Sequence, residues 1–296
     1  MFRVYEVGKA TCRSLIFTDD GIGGRFMFLK EVKIVQRILS LSFAAVLLCF
    51  LVTSDSSGAD IKNPLVHWAL DGDGKDSVGG SDLSIEGGDF EEGKYGQALS
   101  LDGSGAHAVD EGGADYINGL DAITIAVWIK SNQTNTDKGF IICLDPNDKD
   151  KTVNIRYDAA GSVAGGTNVI KTGILVEGGV GIALESSDNV QTMEWQHVAI
   201  VWSSGGPIKL YINGVEDAPT FDEGPIDGRL DGLTKVIIGK GAKDQSGGWD
   251  GLIDDVYIYA EALSADEITE VMNGDALSVD ARGKLPALWG EMKGSN

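Results

Sequence analysis

The sequence is poor in cysteine, histidine and basic residues, and each shortage excludes a class of structure or function. Two of the three cysteines lie in the first 49 residues, so Cys143 has no partner for an intrachain disulfide and is expected to be a small buried side chain. The three histidines show no metal-ligand spacing. With 24 basic against 45 acidic residues and a formal net charge of −21, the chain lacks the basic surface that binds nucleic acid or anionic membranes.

The N-terminal region has the pattern of an export signal. Basic residues precede an apolar run of 15 residues, 38–52, which is shorter than the roughly 20 residues of a membrane-spanning helix. We therefore predict a signal peptide over 27–59, cut near Ala59 or Ser54, with an uncleaved anchor as the alternative. Residues 1–26 are interpreted as upstream sequence or a mis-assigned start, and the protein is expected to be secreted or cell-surface, outside the cytoplasm.

The rest of the chain is turn-rich and favours an all-β fold. There are 41 glycines but only six prolines, and short apolar runs recur between clusters of Gly, Asp, Asn and Ser. Many short strands separated by turn signals are typical of a sandwich or barrel. We predict one domain over 60–274 and a C-terminal tail over 275–296. The predicted strands are 65–70, 97–101, 106–109, 123–130, 140–144, 152–157, 173–177, 181–185, 195–202, 208–214, 235–239 and 251–260.

Two local patterns are especially clear. In the run 123–130, apolar side chains alternate between two faces, as expected for a strand inside a sandwich. Ser264 and Glu267 have the spacing of a helix-capping box, and Gly274 stands where a C-cap glycine belongs. The sequence therefore predicts one short helix directly after the last strand.

Several segments resemble, in the same order, the laminin-G-like jelly rolls of the concanavalin A-like superfamily. They are "LVHWALDGDGKDSVGG" at 65–80, "GKYGQALSLDG" at 93–103, "ITIAVWIKS" at 123–131, "WQHVAIVWSSGGPIKLYINGVE" at 195–216 and "WDGLIDDVYIYAEALSADEI" at 249–268. The resemblance implies a jelly-roll sandwich of two curved antiparallel sheets. The family includes lectins, pentraxins, laminin G modules and some glycanases, so the fold alone does not define the function.

The closing strand raises the question of what neutralises Asp254. Strict alternation places Asp254 on one face with Leu252, Val256 and Ile258, and a carboxylate among apolar neighbours needs a compensating partner. Proteins of this family often hold calcium beside the first aspartate of this strand. The resemblance therefore implies a structural Ca²⁺ bound by Asp254.

Two further acids, Asp76 of the opening turn and Asp102, are the candidate companion ligands for that calcium. The alternative for Asp254 is that its carboxylate accepts backbone N–H groups from an adjoining loop, without a metal. The alternative for the acids of the opening turn is an ordinary solvated turn.

Two loops are candidates for ligand binding. Trp249 stands beside Asp244 and Gln245 in a glycine-rich loop, where an aromatic ring and polar acceptors together suit a sugar. Asp137, in the loop 132–139, loosely resembles the acids of the pentraxin ligand face. The alternatives are a tryptophan that closes the end of the core and loops that are simply solvated.

The sequence favours binding over catalysis. Glycanases of this fold carry paired carboxylates at alternate positions of one strand, and that pattern is missing. We therefore predict a non-enzymatic module that binds carbohydrate or another extracellular polymer. Recognition of a protein by a structural or adhesive module is the first alternative, and a glycoside hydrolase of the same fold is the less favoured one.

Overall fold

The computed structural model describes residues 63–110, 114–145, 148–161, 165–240 and 248–274. The chain divides into two compact units, 1–57 and 58–296, and all described residues belong to the second. No helix in the described part of the chain is long and apolar enough to cross a membrane.

The described residues form strands almost throughout, with one short helix. The strands are Val66–Trp68 (β1), Ser84–Glu86 (β2), Asp89–Glu92 (β3), Gln97–Asp102 (β4), His107–Asp110 (β5), Ala122–Ser131 (β6), Lys138–Asp145 (β7), Asp148–Asp158 (β8), Val169–Val176 (β9), Val180–Glu185 (β10), Gln196–Ser203 (β11), Lys209–Ile212 (β12), Val215–Glu216 (β13), Phe221–Asp222 (β14), Lys235–Ile238 (β15) and Asp250–Tyr259 (β16). The helix, which we number α1, is Ala265–Met272.

The strands make two antiparallel sheets of eight strands each. In the first sheet the order is β13-β12-β11-β6-β16-β4-β3, and β1 pairs with β16. In the second it is β14-β10-β9-β8-β7-β15-β5-β2. Strand β16 is central to the first sheet, because β6 lies along one of its edges while β4 and then β1 share the other. This arrangement confirms the predicted two-sheet jelly-roll sandwich.

The core lies between the inner faces of the two sheets. Alternate residues of β6, from Ile123 to Ile129, point into it and are fully buried, which confirms the alternation seen in the sequence. Trp68 and Trp202 from the first sheet are buried there as well. Cys143 is also buried in this core, as expected for a small apolar side chain.

Helix α1 covers part of the outer face of the first sheet. Ser264 accepts the N–H of Glu267, and the Glu267 carboxylate accepts the N–H of Ser264 at 2.7 Å, which confirms the predicted capping box. The apolar side of the helix, including Ile268, packs with Tyr257 and Tyr259 of β16 in a second apolar cluster. The first sheet is therefore buried on both faces where the helix lies.

A β-bulge changes the faces that strict alternation predicts for β16. The pairing with β6 shifts between Asp254 and Tyr257, and Asp255 has a positive φ of 46°. Because the bulge adds one residue to the strand, Ile253 and Val256 both face the core. The prediction that Asp254 shares a face with Val256 is therefore wrong, and Asp254 lies on the other side of the sheet.

Candidate functional site

The Asp254 carboxylate is fully buried and is held by backbone N–H groups. Its Oδ2 atom accepts the N–H of Lys94 at 2.7 Å and the N–H of Tyr95 at 3.0 Å. Both donors belong to the turn that joins β3 to β4. The approach is so close that a Cβ atom on Gly93 would lie 2.6 Å from Oδ2. Asp254 thus fastens this turn to the closing strand, which is the alternative to calcium raised by the sequence.

The two carboxylate oxygens of Asp254 differ in their hydrogen bonding. Oδ1 is buried and makes no hydrogen bond within the described part of the chain. Burial raises the pKa of Asp254 to about 7, and the negative charge of Asp255 also raises it, whereas the Tyr95 and Lys94 N–H groups lower it. A proton on this carboxyl group therefore removes much of the cost of burying it.

Asp76 organises the opening turn. Its Oδ1 accepts the N–H groups of His67 at 3.0 Å and Val78 at 2.9 Å, and its Oδ2 accepts those of Gly79 at 2.9 Å and Ser81 at 3.1 Å. Burial by itself would raise the pKa of Asp76, but the four N–H groups lower it below its ordinary value. This carboxylate is saturated by backbone donors and has no oxygen left over for a metal.

The predicted calcium ligands are not assembled into one site. Asp102 is exposed, accepts the N–H of Ser104 at 2.9 Å and lies opposite Asp250, four residues before Asp254 along β16. Among the described residues, no three or more His, Cys, Asp or Glu side chains form a group suited to a metal ion. Calcium takes six to eight oxygens, and Asp254, Asp76 and Asp102 do not provide them jointly. A calcium ion held jointly by these three carboxylates therefore does not fit the structure, and calcium binding itself stays a prediction.

Trp249 lies inside the protein. Its ring is fully buried and packs edge-to-face on Phe140 at 5.3 Å and on Tyr157 at 5.2 Å between ring centroids. Its Nε1 donates to the carbonyl oxygen of Leu252 at 3.3 Å. A ring with no exposed surface offers no platform for a sugar, so that interpretation is wrong. Trp249 instead closes the end of the core, which was the alternative.

The other predicted ligand-binding residues have separate outcomes. Asp137 is exposed, and its Oδ1 accepts the N–H of Ala159 at 2.9 Å, which ties its loop to the turn after β8. Asp244 and Gln245 lie outside the described residues. The ligand-binding role of these three residues stays a prediction.

A polar cluster, partly exposed and partly half-buried, forms where β6 ends and β16 begins. We call Asp102, Asn132, Gln133 and Asp250 the loop rim. Asp250 accepts the Nδ2 group of Asn132 at 2.8 Å and the Nε2 group of Gln133 at 3.3 Å, one on each carboxylate oxygen. The backbone N–H of Asn132 also donates to the carbonyl oxygen of Asp250 at 2.9 Å. The two loops singled out in the sequence thus meet through side chains that had not been assigned a role.

The backbones of β6 and β16 approach each other closely beside the loop rim. Gly251 has a φ of 140°, and a Cβ atom there would overlap the carbonyl oxygen of Lys130, so only glycine allows β16 to approach β6 at this point. Ser131 supports the neighbouring loop, since its hydroxyl donates to the carbonyl oxygen of Gln133 at 2.7 Å. The rim therefore presents fixed carboxylate acceptors beside amide groups at the ends of β6 and β16, which suits hydroxyl-rich ligands.

The two antiparallel sheets have the architecture of a concanavalin A-like β-sandwich. The model of the family Laminin_G_3, of the concanavalin A-like lectin/glucanases superfamily, matches residues 102–269. The chain belongs to this family. A comparison with curated protein sequences finds no match.

Solved structures with the same fold include carbohydrate-binding and toxin domains. Domain 4 of AbnA, an extracellular arabinanase from Geobacillus stearothermophilus solved with arabinotriose, is 22% identical with a TM-score of 0.51, over 71% of this chain and 98% of that one. The binding domain of Paraclostridial Mosquitocidal Protein 1 is 16% identical with a TM-score of 0.57, over 73% of this chain and 53% of that one. The binding domain of botulinum neurotoxin serotype G is 14% identical with a TM-score of 0.54, over 71% and 50%. The chain spans about half of these toxin domains, and at such identities the likeness shows the fold.

Proposed function

We propose that this protein is a secreted or cell-surface module that binds carbohydrate, or another extracellular polymer, at the loop rim. The observation that carries the proposal is the half-buried Asp250 carboxylate, which Asn132 and Gln133 hold in place at the start of β16. Sugar hydroxyl groups donate to carboxylates and accept from amides, so a fixed set of both kinds favours them. The signal-peptide pattern of 27–59 supports export of the chain.

Two structures with the same fold support a glycan as the ligand. One is the arabinanase domain solved with arabinotriose. The other comes from work on botulinum neurotoxin type C, whose cell entry depends upon interaction with two ganglioside molecules, with 16% identity and a TM-score of 0.51 over 69% of this chain and 50% of that one. The net charge of −21 favours neutral glycans over acidic ones, because an acidic surface repels anions.

The proposed module does not cleave glycosidic bonds. Hydrolysis of such a bond needs one carboxylic acid with a raised pKa to protonate the leaving oxygen. At the loop rim, hydrogen bonds from Ser104 lower the pKa of Asp102, and Asp250 accepts amide hydrogens on both oxygens. The lowered pKa makes Asp102 a poor proton donor, which supports binding at the loop rim without cleavage of the glycosidic bond.

A glycan array tests the proposal and separates it from the protein-binding alternative. We expect the full chain to bind at least one class of neutral glycan, with binding lost in Asp250→Ala. Asp222→Ala is the control, since Asp222 is an exposed aspartate on an edge strand of the other sheet, and its carboxylate is likewise hydrogen-bonded, there by the backbone N–H of Gly224 at 2.8 Å. No binding to any glycan, or equal loss in both variants, would overturn the assignment and favour an adhesive module that recognises protein.

A further inference from the structure

A serine, a histidine and an aspartate form a hydrogen-bonded chain on the outer side of the first sheet. The Oγ atom of Ser77 lies 2.7 Å from Nδ1 of His67, and Nε2 of His67 lies 2.8 Å from Oδ1 of Asp255. Only Ser77 is exposed, since His67 retains 5% of its accessible surface and Asp255 is largely covered. The exposed hydroxyl of Ser77 is therefore in contact with the buried ring of His67, which in turn contacts the largely covered carboxylate of Asp255.

The hydrogen-bond partners of the ring define its proton arrangement. In the tautomer that carries its hydrogen on Nε2, the His67 ring donates to the Oδ1 atom of Asp255. Nδ1 then has a lone pair directed at Oγ of Ser77, whose hydroxyl hydrogen has two acceptors within reach: Nδ1 at 2.7 Å and the carbonyl oxygen of His67 at 3.3 Å. This is the order of roles in a nucleophile–base–carboxylate triad: the hydroxyl gives its proton to a base that a carboxylate orients.

The ring of His67 is held firmly in this position. It stacks on Tyr257 with ring centroids 4.0 Å apart and planes at 7°, and the two residues are direct partners in the β1–β16 pairing. The bulge at Asp255, with its positive φ, directs that carboxylate toward the ring. The backbone N–H of His67 is fastened to Asp76 at 3.0 Å. Such fixed geometry is what a general base needs before the substrate arrives.

We propose that Ser77 is a nucleophile, with His67 as its general base and Asp255 as the positioning residue, and that it hydrolyses small carboxylic esters. The hydroxyl proton of Ser77 moves to Nδ1 of His67 as Oγ forms a bond to the ester carbonyl carbon. The bond from that carbon to the alcohol oxygen breaks, and the alcohol leaves with the proton from His67. Water then attacks the acyl-serine with help from His67, which releases the acid and restores Ser77.

The surrounding turn limits this activity to reactive esters. The nearby N–H groups of Val78, Gly79 and Ser81 are all bonded to Asp76, so they do not point at a developing oxyanion. Each missing oxyanion donor costs about a hundredfold to a thousandfold in rate. The reaction is therefore slow, requires a good leaving group and does not extend to amide bonds.

The test uses p-nitrophenyl acetate and a fluorophosphonate probe on the full-length protein. We expect release of p-nitrophenol above the buffer rate and one probe adduct, which mass spectrometry assigns to Ser77. Ser77→Ala should abolish both signals. The control is Ser84→Ala, which removes another exposed serine, on strand β2 of the other sheet, and should change neither signal.

A second variant tests the positioning role separately from folding. Asp255→Asn keeps a residue that tolerates positive φ but removes the carboxylate. It should lower kcat for the ester about a hundredfold while KM and the melting temperature stay close to wild type. An adduct absent from Ser77 in the folded protein, or an ester rate unchanged in Ser77→Ala, would overturn the proposal. Glycan binding at the loop rim would be unaffected by either result.

Discussion

The Oδ2 atom of Asp254 accepts the backbone N–H of Lys94 at 2.7 Å, across 160 residues of chain. This bond and its neighbour from Tyr95 join the β3–β4 turn to β16, a central strand of the first sheet. A buried carboxylate in this fold thus serves as a fastener between distant segments, with the backbone as its partner. The consequences concern stability, and they can be measured without knowing the ligand.

Replacing Asp254 should reveal this role. Asp254→Ala leaves two backbone N–H groups without their acceptor, and we expect a loss of about 2–4 kcal/mol in the free energy of unfolding. Asp254→Asn keeps one oxygen for the two N–H groups and should cost less than half as much. Urea unfolding measures both values. If the Ala variant were as stable as the wild type, the proposed fastening would be refuted.

The free energy of unfolding should depend on pH through the carboxyl group of Asp254. Its pKa is raised from 3.8 to about 7 in the folded protein, so between these values the native state holds a proton that the unfolded chain has released. The stability from this group is fully present below about pH 4 and is lost as the pH rises through 7. Relative to Asp254→Asn, the wild type should lose up to about 1.4 kcal/mol per pH unit in that window. A difference independent of pH would contradict the raised pKa.

Calcium should not act through Asp254. A saturating ligand at 100 times its dissociation constant stabilises a protein by about 2.7 kcal/mol, which is visible as a higher melting temperature. Because no group of three or more metal-ligating side chains forms among the described residues, and Oδ2 of Asp254 already accepts two backbone N–H groups, we expect any shift between calcium and chelator to be the same in wild type and Asp254→Asn. A calcium-dependent shift that disappears in the variant would show that the metal binds this carboxylate after all.

Trp249 should behave as a core residue. Trp249→Ala removes a buried ring from contact with Phe140 and Tyr157, and we expect a loss of about 3–5 kcal/mol in stability. Trp249→Phe should remain folded and keep the wild-type affinity for any glycan found on the array. Loss of glycan binding by a well-folded Phe variant would restore the role of Trp249 as a sugar platform.

The sequence predicted the central strands but not the edges of the sheets. Each predicted strand overlaps an observed one, and the strands it missed, β2, β3, β13 and β14, are the edge strands of the two sheets. They have two to four residues each, and no residue in them is buried. Short exposed edges have no apolar alternation to detect, whereas β6 and the capping box of α1 are signalled by neighbouring residues alone.

The functional side chains were harder to predict than the strands, because they depend on long-range pairing. A bulge at Asp255 inserts one residue into β16 and changes which side chains share a face, and no sequence periodicity signals it. The contacts of Asp250 with Asn132 and Gln133 follow from the antiparallel pairing of β6 with β16, which places the end of one strand beside the start of the other. The pairing of β6 with β16 cannot be read from the sequence, so these side-chain contacts could not be predicted from it.

The central claim, recognition of a glycan by the loop rim, is tested most directly by calorimetric titration of the best array ligand into three proteins. The account predicts binding by the wild type, at least about a tenfold loss of affinity in Asp250→Ala, and wild-type affinity in Asp222→Ala. Equal affinity of the wild type and Asp250→Ala would contradict it, because the ligand would then bind elsewhere on the molecule.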